Sequence, residues 1–230
     1  MKRGGIVDVS GNLLSVVVGW FLGVFSDPLR SLFFGPRLTL VIRFRQPDCQ
    51  NISHSYVDDE RRTKVSPNYI FRLRVSNEGI SAARNVLAVI ERLEKREGAE
   101  WVQVPDFLTT DLVWTHGQFE RQRTLPILNP KTSWLIDFCH VTNPCFREQA
   151  NETKPVDLIP SDEISLCFDL SVKPANFYHI ISHGKYRCWV IVSAENSRPV
   201  RKQFIIKLGK NWFDDQEEMF TKDGIQITEI

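Results

Sequence analysis

From Leu38 onward, apolar and polar residues alternate with a period of two. Leu38, Leu40, Ile42 and Phe44 are interleaved with Thr39, Val41, Arg43 and Arg45, the pattern of a strand with one buried face. Phe71, Leu73 and Val75 repeat it, as do Trp134, Ile136 and Phe138, then Tyr186, Cys188, Val190 and Val192, then Phe204, Ile206 and Leu208. The cleanest run is 164–172, where Ile164, Leu166, Phe168, Leu170 and Val172 alternate with Ser165, Cys167, Asp169 and Ser171. Shorter strands are expected at 85–93, 100–104, 112–114 and 124–128, and Ile225, Ile227 and Ile230 suggest a last one. The stretch 86–97 also has the composition of a helix. Its Val and Ile content and the strand before it favour the arm of a hairpin.

Turn residues fall between these runs: Asn77-Glu78-Gly79, Asn129-Pro130-Lys131, Asp162-Glu163 and Asn196-Ser197-Arg198-Pro199. Many short strands without intervening long helices predict an all-β antiparallel sandwich or barrel, not a parallel α/β sheet. Two polar stretches, 46–67 and 144–160, are expected to be solvated loops. There is no internal repeat.

The N-terminal region is different. Residues 11–26 read GNLLSVVVGWFLGVFS and carry no charge. As a helix they would span about 24 Å, short of the roughly 30 Å hydrocarbon core. Trp20, Phe21, Phe25, Phe33 and Phe34 could anchor at an interface, and Pro28 is suited to end the helix. The expectation is a short membrane-anchor helix and linker over 1–36, followed by a sandwich domain over 37–230. A signal peptide, an interfacial helix and a buried core helix compete with the anchor. Against the signal peptide stands the absence of an A-x-A-like cleavage site, and against the core helix the absence of a periodic polar face, while the break at Asp27-Pro28 before Ser31–Phe34 leaves the interfacial helix open. Lys2 and Arg3 precede the run, while Arg30, Arg37, Arg43 and Arg45 follow it. By positive-inside counting, a single-pass protein would then hold its domain on the cytoplasmic side, by a small margin.

The segment from Phe71 to Ile90, FRLRVSNEGISAARNVLAVI, resembles the first hairpin of bacterial adhesion-related immunoglobulin-like (CARDB-like) domains. There a strand ends in Asn-x-Gly, a small residue follows, and the next strand opens on a polar-Val pair. The likeness covers about twenty residues, with Gly79 suited to a left-handed turn and Asn77 able to bond its own backbone. It implies an immunoglobulin-like sandwich, and the layout is similar to that of uncharacterised prokaryotic membrane-anchored proteins. It implies no activity, because sandwiches host many functions.

Composition narrows the chemistry. Of 230 residues, 29 are Lys or Arg and 28 are Asp or Glu, a balance that disfavours a nucleic-acid binder. Five cysteines, Cys49, Cys139, Cys145, Cys167 and Cys188, are odd in number and irregular in spacing, unlike a disulfide framework. Cys167 and Cys188 lie in strand-like runs, where a free thiol is a small hydrophobe. The dinucleotide, phosphate-loop, nucleophile-elbow, HExxH and CxxC motifs are all missing. The nearest metal constellation is His179 and His183 with Cys139, His140 and Cys145. Cys139 and His140 would point to opposite faces of one strand, so scattered residues are expected instead of a site. Asp58-Asp59-Glu60 and Asp214-Asp215-Gln216-Glu217-Glu218 lack the spacing of a calcium loop. Two glycosylation-type triplets, at Asn51 and Asn151, are about what chance supplies. Catalytic, cofactor and metal residues are therefore all expected to be none.

Two functions of different class are weighed, and a purely structural role at the envelope fits the same sequence. One is a membrane-tethered binding module with a protein partner, held to the membrane by residues 11–26. The other is an enzyme or small-ligand sensor with an unfamiliar site in the sandwich loops. A filled core with flat faces favours the first, and a concave pocket with convergent polar groups favours the second.

Overall fold

The computed structural model describes Trp20 and residues 34–57, 61–115, 122–148, 150, 152 and 159–230. The expected anchor at 11–26 lies, apart from Trp20, outside the described residues. Among the described residues no helix is long and apolar enough to cross a membrane.

Among the described residues, fourteen strands build two antiparallel sheets of seven. Sheet A holds β1 (Leu38–Ile42), β2 (Cys49–Val57), β3 (Thr63–Asn77), β7 (Val113–Trp114), β9 (Ser133–Thr142), β10 (Leu166–Phe168) and β11 (Ile180–Ile181). Sheet B holds β4 (Ala83–Glu97), β5 (Glu100–Gln103), β6 (Thr110–Asp111), β8 (Thr124–Leu128), β12 (Gly184–Ala194), β13 (Ser197–Leu208) and β14 (Ile225–Glu229). In each sheet one long strand serves several short partners. β1 and β2 share one edge of β3, whose other edge pairs with β9. Likewise β5, β6 and β8 share one edge of β4, whose other edge pairs with β12. One short helix, α1 (Gln216–Thr221), precedes β14.

The core lies between the sheets and is filled by the expected alternating faces. Leu40, Phe71, Leu73 and Phe138 from sheet A meet Ile90, Cys188, Val190 and Phe204 from sheet B, all fully buried. Phe138 touches Phe204 across the gap at a ring-centroid distance of 5.7 Å, so the two layers are in direct aromatic contact.

Several expectations need correction. The polar stretch 46–67 is not a loop: Cys49–Val57 pairs with Thr63–Phe71 in an antiparallel hairpin. Ser53, His54, Ser55, Val57, Thr63 and Val65 are exposed in this arm, so no buried face imposes an apolar alternation. Residues 86–97 are strand throughout, which removes the helix alternative. The 71–90 segment is not a hairpin, because β3 lies in sheet A and β4 in sheet B. The link between them is an arch from one sheet to the other. Gly79 at its centre is not in a left-handed conformation. A Cβ there would stand 2.4 Å from the Gly35 carbonyl oxygen and 2.6 Å from the Arg37 nitrogen, so glycine is required by close backbone approach. The cleanest run, 164–172, is regular only over Leu166–Phe168. Beyond it Asp169 turns its backbone N–H to the Phe138 carbonyl, and Val172 is exposed. The turn expected at 196–199 centres on Glu195 and Asn196, and strand resumes at Ser197, with a register shift near Ala194.

Candidate functional site

Two surfaces gather chemistry. The first is the outer face of sheet A. In β9, Cys139 and Val141 point into the inter-sheet core, so His140 and Thr142 take the outer face. In β10, Leu166 and Phe168 join the same core, whereas Cys167 packs with Ile159, Ile180 and Phe177 in a small separate cluster. His140 and Cys167 are direct cross-strand partners.

The chain after β9 folds back over them. A 3-10 turn at Pro144–Phe146 is capped by the Asn143 side chain, which accepts the Cys145 N–H at 3.0 Å. The Arg147 guanidinium donates to the Pro160 carbonyl at 2.6 Å, and the Glu152 N–H donates to the Arg147 carbonyl at 3.0 Å. This brings the Glu152 carboxylate, 4% exposed, onto His140.

Glu152 Oε1 lies 2.8 Å from His140 Nε2, and Asp169 Oδ1 lies 2.8 Å from Nδ1. Burial acts to lower the His140 pKa. The Asp169 charge and the bonds to Asp169 and Glu152 outweigh it, so the ring is held well above its ordinary value as an imidazolium. The Cys167 thiol is pushed up to about 12, chiefly by burial. A Cys–His–carboxylate arrangement can signal a nucleophile. Here the sulfur is 1% exposed and protonated, and a carboxylate occupies the side of the ring that a thiol would use. The geometry is that of a buried N, O and S donor set, with the His140, Glu152 and Cys167 ligand atoms all within 4.8 Å of one another.

The structure disperses the constellation considered from sequence. Cys139 is in the core, Cys145 is exposed, and His179 is buried with its ring stacked on Phe177. His183 bonds Glu163 at 2.8 Å near the surface. Only His140 enters the cluster, joined by Glu152, Cys167 and Asp169, which the sequence reading did not combine. Half of a signal was present: Ser165, Cys167 and Asp169 form the polar phase of their run, whereas His140 continues the phase of Trp134, Ile136 and Phe138, and only the register shift opposite Phe71 and Arg72, which buries both Phe138 and Cys139, turns it to the outer face. The pairing of those two faces was not readable. Of the acidic clusters, Asp58-Asp59-Glu60 lies outside the described residues. Asp215 caps α1 through the Glu218 N–H at 2.9 Å, and Asp214 accepts from the Trp212 indole at 2.7 Å.

The second surface is the outer face of sheet B. The Arg187 guanidinium lies between Trp101, at 4.7 Å, and Trp189, at 4.8 Å, with Arg92 and Arg201 also over Trp189 and Arg96 over Trp101. Register explains the stack: Arg187 faces Glu94 across the β4–β12 ladder, Trp189 faces Arg92, and Arg96 faces Trp101 across β4–β5. Glu94 beneath it, 1% exposed, pairs with both Arg187 and Arg92. Both indoles remain partly exposed.

A groove of about 560 Å³ also opens beside α1, lined by Phe44, Gln216, Phe220, Gln226, Ile227 and others. Its polar groups are amides, threonines and the exposed Glu217, with no nucleophile set against a base.

Comparison of the chain with protein-family models and with curated proteins finds no significant match.

Proposed function

We propose that this chain is a membrane-tethered binding module built on an immunoglobulin-like sandwich, and that it engages an acidic protein segment through the outer face of sheet B. The observation that carries the reading is the Trp101–Arg187–Trp189 stack. Trp and Arg dominate the energetics of protein interfaces, and two partly exposed indoles packed between interleaved guanidinium groups present that chemistry with little left to order on binding. Four guanidinium groups, Arg92, Arg96, Arg187 and Arg201, stand around the indoles against two carboxylates, Glu91 and Glu94. The surplus positive charge favours an acidic partner. A filled core supports a binding role over an enzymatic one, since the inter-sheet space is closed by large apolar side chains.

The tether is supported by the uncharged run at 11–26 and by where the chain enters the sandwich. Arg37 leads into β1 at the pole formed by the 77–83 arch, the β12–β13 turn and Lys131. That pole exposes Arg37, Arg84, Lys131 and Arg198 against Glu78 and Glu195, a balance suited to an anionic membrane surface.

The test is a photo-crosslinking side chain placed at Gln203, the cross-strand partner of Trp189, and separately at Ser76 on sheet A, in cells of the native host. The expected result is a discrete protein adduct from position 203 that disappears with Arg92→Glu plus Arg201→Glu. No adduct, or equal adducts from both positions, rejects the reading.

A further inference from the structure

We propose that His140, Glu152 and Cys167 form a binding site for one zinc-type divalent transition-metal ion, with Asp169 orienting the histidine. This goes beyond the binding-module reading and does not depend on it.

The first support is geometric. Three donors of three kinds arrive from two paired strands and an overlying segment, and their ligand atoms lie within 4.8 Å of one another. A tetrahedral zinc ion with bonds of 2.0–2.3 Å sets donor atoms about 3.3–3.8 Å apart. Seating the ion would open the Glu152–His140 pair, now at 2.8 Å, by about 0.5 Å and close separations of up to 4.8 Å by up to roughly 1.5 Å, and Glu152 lies outside both strands, so its side chain can shift without moving either.

The second support is an orphaned group. Glu152 is 4% exposed, and its Oε2 has no hydrogen-bond partner. A buried carboxylate oxygen left bare costs free energy that a cation would recover. Thr142 Oγ1 and Ser165 Oγ are also buried without partners. Thr142 follows His140 by two residues and Ser165 precedes Cys167 by two, so both belong to this outer face. They supply polar surroundings for a fourth, exchangeable ligand.

The outer shell also fits. Asp169 Oδ1 at 2.8 Å from Nδ1 takes that N–H and leaves Nε2 as the coordinating atom, the carboxylate–histidine arrangement usual behind zinc-bound imidazoles. Ile159, Ile180 and Phe177 close an apolar wall beside the sulfur. Thiolate with imidazole selects zinc over calcium or magnesium, which take oxygen.

Seating a dication would displace any proton on Nε2 and on the thiol, and the Glu152–His140 hydrogen bond would be replaced by Glu152–metal and His140–metal bonds.

The test uses the full chain, stripped with chelator and titrated with zinc against a chromogenic competitor, then with cobalt. Expected are one ion per chain and a thiolate-to-cobalt charge-transfer band. Cys167→Ser should abolish that band, while Cys145→Ser, altering an exposed thiol outside the cluster, leaves it intact. Glu152→Gln should weaken binding tenfold or more, and Asp169→Asn by about 10- to 100-fold. Absence of stoichiometric zinc at micromolar concentration overturns the proposal, as does a charge-transfer band that survives Cys167→Ser. If Cys167→Ser does not fold, unchanged affinity in Glu152→Gln overturns it equally.

Discussion

Asn77 ties one pole of the sandwich together. It is fully buried, and its Oδ1 accepts the Arg37 N–H at 3.1 Å and the Gly79 N–H at 3.0 Å. Its Nδ2 donates to the Ser81 carbonyl at 2.8 Å and the Leu128 carbonyl at 3.1 Å. One side chain thus binds the lead-in to β1, the arch into β4 and the end of β8. Replacement by alanine strands two N–H donors and two acceptors where water has poor access. Asn77→Ala should cost about 3 kcal/mol, at roughly 1 kcal/mol or somewhat less per lost bond, read as a lower midpoint in urea denaturation. Asn77→Asp keeps the acceptor but loses both donors and buries a charge, so it should cost at least as much. A loss below about 1 kcal/mol would mean that solvent replaces these bonds. The Asn-x-Gly turn was legible in the sequence because Asn and Gly are turn residues wherever they fall. That Asn77 also holds Arg37 and Leu128 was not, since those contacts span 40 and 51 residues.

At the level of elements, legibility followed the presence of one buried face. β12 and β13 were readable because Tyr186, Cys188, Val190, Phe204 and Ile206 all face the core. β2 was not, because its main chain is satisfied by β3 while much of its side-chain surface is solvated, and backbone pairing leaves no mark on polarity. The same reason hid the cluster around His140: a buried polar face looks, in sequence, like a solvated one. α1 shows how a short element can matter beyond its length. Phe220 meets Phe44, Tyr69 and Phe71 at ring-centroid distances of 5.6, 5.7 and 5.4 Å. The Tyr69 hydroxyl bonds the carbonyls of Phe213 and Asp214, both at 2.9 Å. The segment before β14, itself the edge of sheet B, is thereby fastened to sheet A and closes that side of the sandwich. Phe220→Ala should cost about 3 kcal/mol, the lower end for buried aromatics because the ring is only partly covered. Amide hydrogen exchange should quicken in β14 and β1 together while β12 stays protected. Acceleration confined to β14 would show that α1 does not bridge the sheets.

For the whole molecule, the question is whether the sandwich stands apart from the segment before it. The first strand begins at Leu38, and among the described residues the hydrophobic core draws on none before it. Among the described residues, the Ser197 hydroxyl reaches the Pro36 carbonyl at 3.3 Å, and the Gly35 carbonyl lies against Gly79. A chain starting at Arg37 keeps β1 and its register with β3. It should therefore fold with a single cooperative transition, its midpoint within a few degrees of the full chain, since about 1 kcal/mol shifts a domain of this size by roughly 2–4 °C. The same pair of proteins separates the proposals about location. If the run at 11–26 is an anchor, the full chain sediments with membranes and resists carbonate extraction while the shortened one stays in the supernatant. Protease added to intact and opened cells then reports the side, with protection in intact cells expected for a cytoplasmic domain. If both forms stay in the supernatant, the uncharged run docks against protein and not lipid, and the cationic pole around Arg84, Lys131 and Arg198 loses its membrane. The Trp–Arg face of sheet B would be untouched by that outcome, because it lies on a sheet surface and Arg37 leads into β1 at a pole.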